Sequence, residues 1–370
     1  MSFNNFDLSP QVLRGVTDLG YTTPTPIQEQ AIPHVLSGRD LLGLAQTGTG
    51  KTAVFVLPIL QRLSKGRRGI PRALILSPTR ELAEQTHSVI QKLGRGTGLR
   101  SLTIYGGVSI KPQIKGLQAG AEILVACPGR LLDLIGQRRL DLSRIEVFVL
   151  DEADRMFDMG FLPDIRRIRL TLPAERQTLL FSATMPSEIR GLADDFLHDP
   201  VRVEIGGSRP VETVSHTLYP VQHGQKSEVL LELLQQTGKG QVLVFTRTKH
   251  RASKLAQTLV KAGYSATSLQ GNLTQAHRQR AMDSFRSGRS RVMVATDIAA
   301  RGIDVLQISH VINYDMPDTA DAYTHRIGRT GRMAKSGIAL SLVTPDDLGM
   351  VRQIERTIGK PIARQRLEFN

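Results

Sequence analysis

Short, continuous apolar runs alternate along the chain with segments of helical spacing. Ala73 to Leu76 and Val147 to Leu150 are four-residue runs without a polar side chain. Such runs are typical of strands buried on both faces of a parallel sheet that helices cover. Seven strands are predicted in the first half of the chain, and most of them are such runs. They lie near residues 40–45, 73–77, 101–105, 122–126, 146–150, 178–182 and 201–205.

The same rhythm restarts after an interruption at Ile205 to Pro210, where two glycines and a proline predict a linker. Residues 81–93 in the first half and 251–261 in the second carry apolar side chains three and four positions apart, which predicts helices. Strands are predicted in the second half near residues 216–221, 241–246, 266–270, 291–295, 310–314 and 338–343. We therefore predict two α/β domains in tandem, residues 1–205 and 213–370, joined by a linker over 206–212.

Composition narrows the class of protein. The 370 residues contain 48 Lys and Arg against 34 Asp and Glu, a net charge of +14, with a pI near 10.2. This charge favours a polyanionic partner. The single cysteine, Cys127, excludes an internal disulfide framework and fits a reducing compartment. No apolar stretch approaches the roughly 20 residues of a membrane span, and no secretion signal opens the sequence. We expect a soluble, cytoplasmic monomer.

A glycine-rich segment, Ala45 to Thr52, lies between a predicted strand and an apolar helix. In that context a phosphate-binding loop is expected, because glycines and a helix N-terminus direct backbone N–H groups to one anion. Lys51 would contact the outer phosphates, and Thr52 would offer a hydroxyl to Mg²⁺. Ala45 stands where glycine is usual, and a glycine-rich turn without function is the alternative. The expected nucleotide contacts are Gln46, Thr47, Gly48, Thr49, Gly50, Lys51 and Thr52.

Two adjacent carboxylates follow the apolar run that ends at Leu150. Asp151 and Glu152 would lie at the carboxyl edge of the sheet, where ligands bind in open α/β folds. Asp151 would hold Mg²⁺, and Glu152 would orient the attacking water and accept its proton. An acidic tetrapeptide alone is more often a solvated start of a helix. The apolar strand before it and the phosphate-binding loop favour an ATPase site.

Asp-Glu-Ala-Asp at 151–154, together with the segment 45–52, resembles the DEAD-box RNA helicases of superfamily 2, most closely the bacterial RhlE-type subgroup. The resemblance runs from Phe6 to about Val343. It implies two tandem RecA-like domains, each a mostly parallel sheet covered by helices, with ATP and Mg²⁺ as cofactors and RNA as partner. It also implies RNA-processing or ribosome-assembly proteins as further partners.

The resemblance assigns further residues to the nucleotide. Gly20 to Gln28 is similar to the family's Q motif, in which Gln28 would contact the adenine edge and Tyr21 would stack on the base, with Phe6 behind it. Ser182 and Thr184 would couple hydrolysis to domain closure. In the second domain, Asp304 would reach the ribose, and His325 would serve as a linking hydrogen-bond donor.

Arginines at spacing three, 326, 329 and 332, would share one face of a helix and repel one another unless they meet an anion. Arg326 and Arg329 are therefore candidate arginine fingers for the γ-phosphate, supplied by the second domain. A basic surface patch is the alternative. Completing the site in this way would make each domain inactive alone.

The remaining matches would contact the RNA backbone and 2′-hydroxyl groups, which implies weak sequence preference. Two positions depart from the family: Cys127 replaces a threonine beside Pro128, and Gln270 stands where histidine is usual. The expected RNA contacts are Pro78, Thr79, Arg80, Gly106, Gly107, Pro128, Gly129, Arg130, Thr246, Arg247, Gln275, Arg278, Thr296 and Gly302.

We therefore expect an ATP-dependent RNA helicase that locally unwinds short duplexes or remodels ribonucleoprotein. An ATP-gated RNA clamp would need the same residues, so the sequence does not separate it from a helicase. A DNA translocase of the same superfamily is disfavoured by the Q motif. A small-molecule kinase is disfavoured by the second domain with its row of arginines.

Overall fold

The structure is a computed structural model that describes residues 2–45, 48–205, 214–297, 308–330 and 337–366, with the side chain of Gln275 excluded. The chain divides into two compact units, Met1–Gly207 and Ser208–Asn370, here called unit 1 and unit 2. The predicted linker, 206–212, lies outside the described residues.

Unit 1 contains a sheet of seven parallel strands in the order β3-β4-β2-β5-β6-β1-β7. Pairing is in continuous register, for example Leu41 with Leu179 of β6 and with Val201 of β7. The strands are β1 Leu41–Leu44, β2 Ala73–Leu76, β3 Ser101–Ile104, β4 Ile123–Ala126, β5 Val147–Leu150, β6 Gln177–Ser182 and β7 Val201–Glu204.

Helices cover both faces of this sheet. They alternate with the strands along the chain, as parallel pairing requires of crossover connections. They are a short 3₁₀ helix at Phe3–Phe6, α1 Pro10–Asp18, α2 Pro26–Leu36, α3 Lys51–Leu63, α4 Arg80–Leu93, α5 Lys111–Gln118, α6 Pro128–Gly136, α7 Ala153–Asp158, α8 Leu162–Arg169 and α9 Ser187–Phe196.

Unit 2 repeats the topology of unit 1, because its strand order, β10-β11-β9-β12-β13-β8-β14, is that of unit 1 with seven added to each number. The pairings are again parallel. The strands are β8 Val214–Pro220, β9 Gln241–Phe245, β10 Ala266–Leu269, β11 Val292–Ala295, β12 Ile308–Asn313, β13 Gly337–Val343 and β14 Ala363–Arg364. The predicted fold class, two mostly parallel sheets covered by helices, is confirmed.

The helices described in unit 2 follow the same alternation. The two predicted helices, 81–93 and 251–261, are confirmed as α4 and α11. The elements of unit 2 are short 3₁₀ helices at His223–Gln225 and Pro345–Asp347, and α10 Lys226–Gln236, α11 Lys249–Lys261, α12 Gln275–Arg286, α13 Ala320–Ile327 and α14 Leu348–Ile358.

The core of each unit consists of apolar layers on both faces of its sheet. In β2, Ala73 and Ile75 enter one layer of unit 1, while Leu74 and Leu76 enter the other, and all four are fully buried. A strand that is buried on both faces reads as a continuous apolar run. For that reason all the strands predicted from such runs are present, with ends displaced by at most two residues.

The strand order decides which loops meet at the carboxyl edge of the unit 1 sheet. Strands β5, β6 and β1 are neighbours, so the segments that follow Leu150, Ser182 and Leu44 lie together. Strands β3, β4 and β2 are neighbours on the other side of β5, and their carboxyl ends lead to Tyr105, Cys127 and Ser77. The carboxyl edge is thus divided into two halves. The predicted ATP contacts follow β5, β6 and β1, and the predicted RNA contacts follow β3, β4 and β2.

Candidate nucleotide site and nucleic-acid interface

The predicted phosphate-binding loop joins β1 to α3. Gly48 and Gly50 have φ of +86° and +92°, the left-handed region that glycine adopts without strain. The buried Lys51 begins α3, and its Nζ donates to the carbonyl oxygen of Ala45 at 2.7 Å. The ammonium is therefore held beside the loop and the N-terminus of the helix. Gln46 and Thr47 lie outside the described residues.

Gln28 lies against this loop. Its Oε1 accepts the Thr25 backbone N–H at 2.9 Å, and its Nε2 donates to the Gly50 carbonyl at 3.0 Å. The Thr25 hydroxyl donates to the Thr49 carbonyl at 2.8 Å. A Cβ on Gly50 would stand 2.5 Å from Nε2 of Gln28, so this contact as well as the positive φ requires glycine. The Q-motif helix α2 is thereby joined to the phosphate-binding loop.

Three aromatic rings adjoin the Q motif. Tyr21, 38% exposed, stacks on Phe3 with ring centroids 6.1 Å apart, and Phe6 meets Phe3 edge-on at 5.7 Å. The ring directly behind Tyr21 is therefore that of Phe3, while Phe6, which the sequence analysis named, is one ring further away. Phe3 was missed because two phenylalanines stand three residues apart and spacing alone does not separate them.

Asp151 and Glu152 follow β5, and both carboxylates are buried. Glu152 has φ +57°, uncommon for a residue with a Cβ, and forms a buried ion pair with Arg155. Burial and the neighbouring Glu152 raise the pKa of Asp151, against the opposing effects of Lys51 and Arg155. Such a buried acidic pair favours a cationic ligand, and carboxylate and hydroxyl oxygens suit Mg²⁺.

Asp154, the last acid of the tetrapeptide, joins β5 to the segment after β6. Its Oδ2 accepts hydrogen bonds from the backbone N–H groups of Ala183 and Thr184 at 3.1 Å each, and from the Thr184 hydroxyl at 3.2 Å. The Ser182 hydroxyl donates to the Thr184 carbonyl at 2.7 Å. Sequence analysis assigned no role to Asp154, although its place in the acidic tetrapeptide marked it.

The other half of the unit 1 edge brings Arg80 and Gly107 together. Thr79 caps α4 by accepting the Leu82 N–H at 3.4 Å. The guanidinium of Arg80 lies over the Tyr105 ring, 6.0 Å from its centroid, and a Cβ on Gly107 would stand 2.1 Å from Nη2 of Arg80. Gly107 also has φ +73°. These two candidate RNA contacts therefore form one surface.

Two side chains brace the loop that carries Gly106 and Gly107. The buried amide of Gln113 accepts the Tyr105 N–H at 3.2 Å and donates to the Tyr105 carbonyl at 3.1 Å. Both Nη atoms of Arg130 lie 3.3 Å from the Val108 carbonyl oxygen. Sequence analysis missed Gln113, because its isolated position on α5 resembles that of any polar residue on a helix.

Cys127 precedes α6, which begins at Pro128. Burial raises the pKa of the Cys127 thiol to about 12, so this side chain is a neutral thiol near pH 7. Around Gly106 and Gly129, a Cβ would meet no atom within 4 Å. The space beside these two glycines is open, which leaves their backbone accessible.

In unit 2 the candidate RNA contacts follow β9, β10 and β11. Thr246 is buried at the end of β9, and the next residue, Arg247, has a side chain that is 53% exposed. Arg278 on α12 donates to the carbonyl of Gln270 at 3.4 Å. Thr296 is half-buried after β11, and Gln275 begins α12. Gly302 and Asp304 lie outside the described residues.

The structure does not support Arg326 as an arginine finger. Its side chain is 2% exposed, and its Nε and Nη2 donate to Asp297 at 2.6 and 2.7 Å. Nη1 donates to Asn313 at 3.0 Å and to the Asp315 carbonyl at 2.6 Å. Four of its five N–H groups are thus used inside unit 2.

Arg329 is also buried, and its Nε donates to the backbone carbonyl of His325 at 3.3 Å. His325 lies in the last turn of α13, one residue before Arg326. Arg332 lies outside the described residues.

Comparison with known proteins agrees with this geometry. Residues 25–192 match the DEAD/DEAH box helicase family, and residues 225–334 match the helicase conserved C-terminal domain. The chain is 43% identical to the ATP-dependent RNA helicase CshA of Listeria monocytogenes, over 97% of this chain and 69% of that protein. This chain belongs to the DEAD-box family. It is also 43% identical to the DEAD-box helicase RhpA of Helicobacter pylori, over 98% of this chain and 73% of the relative.

Solved structures resemble this DEAD-box protein along its whole length. Saccharomyces cerevisiae Dbp5 bound to RNA and ADP BeF3 matches with a TM-score of 0.87 at 33% identity, covering 99% of this chain and 95% of that one. A DEAD box protein from Methanococcus jannaschii matches with a TM-score of 0.57 at 37% identity, covering 99% of both chains. Within the described part of the chain, every helix is too short or too polar to cross a bilayer.

Proposed function

We propose that this DEAD-box protein, an ATP-dependent RNA helicase, hydrolyses ATP at the β5-β6-β1 edge of unit 1 and thereby opens short RNA duplexes locally. One observation carries the proposal: the phosphate-binding loop, the carboxylate pair and the Thr184 segment meet at three neighbouring strand ends. The relatives named ATP-dependent RNA helicases, and Dbp5 bound to RNA and ADP BeF3, support the same activity.

Lys51 and Glu152 have different roles in hydrolysis of the triphosphate. Lys51 neutralises charge on the outer phosphates, since its ammonium lies beside the loop at the helix N-terminus. Glu152 orients the attacking water and accepts its proton, and its ion pair with Arg155 holds the carboxylate in place. Gln28 and Tyr21 hold the base, because the Q motif joins the phosphate-binding loop directly.

Thr52 and Asp151 would hold Mg²⁺. The oxygen chemistry of these two donors fits Mg²⁺, and the Asp151 carboxylate is buried beside a second carboxylate, that of Glu152. The ion would neutralise charge on the β- and γ-phosphates during transfer.

Asp154 and Thr184 pass the state of the nucleotide to the rest of unit 1. Because Asp154 follows the carboxylate pair by two residues and accepts three hydrogen bonds from Ala183 and Thr184, a shift at one strand end moves the other. Ser182 and His325 are proposed to serve the same coupling. Arg329 is proposed as the arginine finger and Asp304 as a ribose contact.

RNA is proposed to bind at the carboxyl ends of β3, β4 and β2 in unit 1 and of β9, β10 and β11 in unit 2. The donors gathered there, such as Arg80, Arg130, Arg247 and Arg278, are cationic, while Gly106 and Gly129 leave backbone open. Cations and backbone groups contact phosphates and sugars, so little sequence preference is expected. The RhlE-type subgroup, a monomeric state, a cytoplasmic location and RNA-processing or ribosome-assembly partners remain predictions.

The Glu152→Gln variant tests the assignment of the general base. We expect RNA-stimulated ATP hydrolysis to fall by about 10²–10⁴-fold, because the amide cannot accept the proton of the attacking water. Hydrolysis should be measured at saturating RNA and ATP, with the exposed Glu188→Gln of α9 as a matched control that keeps wild-type turnover. Unchanged turnover in Glu152→Gln would remove Glu152 from this role.

A further inference from the structure

One exposed face of α11 in unit 2 is uniformly basic and polar. His250, Lys254, Gln257 and Lys261 are separated by four, three and four residues, so they form one row along the helix, and all four are exposed. We call this row the α11 ridge. The opposite face, which includes Ala252, Leu255 and Leu259, is buried in the core of unit 2. Packing therefore fixes which way the ridge points.

Most of the charge of α11 does not stabilise the helix, although Lys261 in the last turn is favourably placed with respect to the helix dipole. Lys249–Lys261 contains no acidic residue, so no i,i+4 ion pair forms within it. His250 and Arg251 lie in the first turn together with Lys249, where a cation opposes the helix dipole. Among the described residues, no ion pair involves His250, Lys254 or Lys261, whereas Arg251 is joined to Asp315 at 2.7 Å. An external anion would explain this arrangement.

The α11 ridge begins beside the proposed RNA contacts. Strand β9 leads through Thr246 and Arg247 directly into α11, whose N-cap is Thr248. Lys249 Nζ donates to Asn272 Oδ1 at 3.0 Å, which ties the first residue of α11 to the loop after β10. From His250 to Lys261 the ridge rises by about 17 Å. It therefore extends the cationic edge along the side of unit 2.

The chemistry of the ridge fits a chain of phosphates. Its members carry no apolar side chain that could anchor a folded partner. Two lysines, a histidine and a glutamine along one line offer cations and hydrogen-bond donors to a polymer with one charge per unit. We infer that the α11 ridge binds the phosphodiester backbone of RNA that continues beyond the segment held at the ends of β9, β10 and β11. This inference rests on the proposed RNA-binding function and enlarges its footprint.

Charge reversal on the ridge tests the inference. We expect Lys254→Glu to weaken binding of a long single-stranded RNA or a tailed duplex by about fivefold to tenfold and to reduce the slope of log K against log salt by about 1. Lys254→Gln should give a smaller loss of the same kind. Lys360→Glu is the matched control, since this exposed lysine of unit 2 lies between α14 and β14, the strand at the other end of the sheet from β10.

The length of the RNA distinguishes the ridge from the proposed site itself. A single-stranded RNA too short to reach α11 should bind the Lys254→Glu protein nearly as tightly as the wild-type protein. Comparison of a long single strand with a short-tailed duplex then identifies whether unpaired or paired RNA lies on the ridge. Equal losses in Lys254→Glu and Lys360→Glu, or no loss with any long RNA, would overturn the inference. Absence of RNA-stimulated ATPase activity in the wild type would instead overturn the proposed function.

Discussion

Strands β5 of unit 1 and β12 of unit 2 occupy the same position in their sheets, and each leads to a buried aspartate. The backbone N–H of Asp151 donates to Leu76 of the neighbouring β2 at 3.0 Å, and that of Asp315 donates to Phe245 of the neighbouring β9 at 3.1 Å. The backbones at the two strand ends are thus alike, and the surroundings of the two carboxylates differ.

Asp315 is surrounded by donors from its own unit. It accepts hydrogen bonds from the backbone N–H of Arg247 at 2.9 Å, from Arg251 at 2.7 Å and from Lys226 at 3.3 Å. Burial alone would raise its pKa, but these donors lower it below the usual value. Burial and Glu152 instead raise the pKa of Asp151. One copy of the fold uses this strand end for its own stability, while the other is proposed to use it for a ligand.

The largest predicted effect tests whether unit 2 contributes an arginine to catalysis. If unit 2 contributes to catalysis, Arg329→Ala should lower RNA-stimulated ATP hydrolysis by about 10³-fold or more, the usual effect of losing an arginine finger. Turnover should be measured at saturating RNA, with exposed Arg352→Ala of α14 as the control. Wild-type turnover in Arg329→Ala would leave unit 2 without the proposed catalytic role.

The main expected effect of Arg326→Ala is a loss of folding stability, whereas that of Arg329→Ala is a loss of ATP turnover. Removing this guanidinium leaves Asp297 and the buried Asn313 without their partners, which should lower the free energy of unfolding by about 3–5 kcal/mol. Denaturant unfolding of the full chain measures this loss, again against Arg352→Ala. A fully stable Arg326→Ala protein would contradict the structural role assigned to the Asp297 pair.

The two strand-end aspartates should respond oppositely to loss of charge. Asp315→Asn should destabilise the protein by about 2–3 kcal/mol, because the buried Lys226 loses an ionised partner. Asp151→Asn, without nucleotide or magnesium, should stabilise it by about 1 kcal/mol or more near pH 7. Unfolding by denaturant at a fixed pH measures both changes in stability. A loss of stability in both variants would contradict the proposed difference between Asp315 and Asp151.

The dependence of folding stability on pH should likewise have opposite signs at Asp315 and Asp151. The folded-state pKa of Asp315 is lowered, so its contribution is present above the unfolded value near 4 and is lost as pH falls through the folded pKa. The folded-state pKa of Asp151 is raised, so its ionisation removes stability as pH rises from about 4 towards that pKa. The Asp315→Asn variant should therefore lack the loss of stability at low pH, and the Asp151→Asn variant should lack the loss of stability as pH rises above about 4.

The sequence could predict the strands and the phosphate-binding loop because both are local patterns. Val147 to Leu150 is apolar whichever partners it finds, whereas β14, the two exposed residues Ala363–Arg364, has no apolar run to mark it. The bonds of Arg326 within unit 2 could not be predicted for a different reason. Its partner, Asp297, lies 29 residues earlier at the end of β11, and an arginine row has the same spacing whether it meets phosphate or carboxylate.

Gln113 shows the same limit in unit 1, and it provides the smallest predicted effect. Its amide holds the main chain of Tyr105 from both sides, so Gln113→Ala should loosen the loop that bears Gly106 and Gly107. Loss of three neutral hydrogen bonds of about 1 kcal/mol or less each, made with Tyr105 and Ser109, should weaken RNA affinity by tenfold or less. ATP affinity should be unchanged, because the loop lies on the β3-β4-β2 half of the edge, and exposed Gln118→Ala of α5 is the control.

Gln113→Glu separates positioning from packing, because glutamate keeps the shape and changes only the donor. An ionised carboxylate can accept from the Tyr105 N–H but faces the Tyr105 and Ser109 carbonyl oxygens without a proton to give. A protonated one can donate to a carbonyl, so RNA affinity of Gln113→Glu should recover as pH falls, relative to Gln113→Ala at each pH. Parallel pH profiles for the two variants would mean that the amide fills space and does not position the loop.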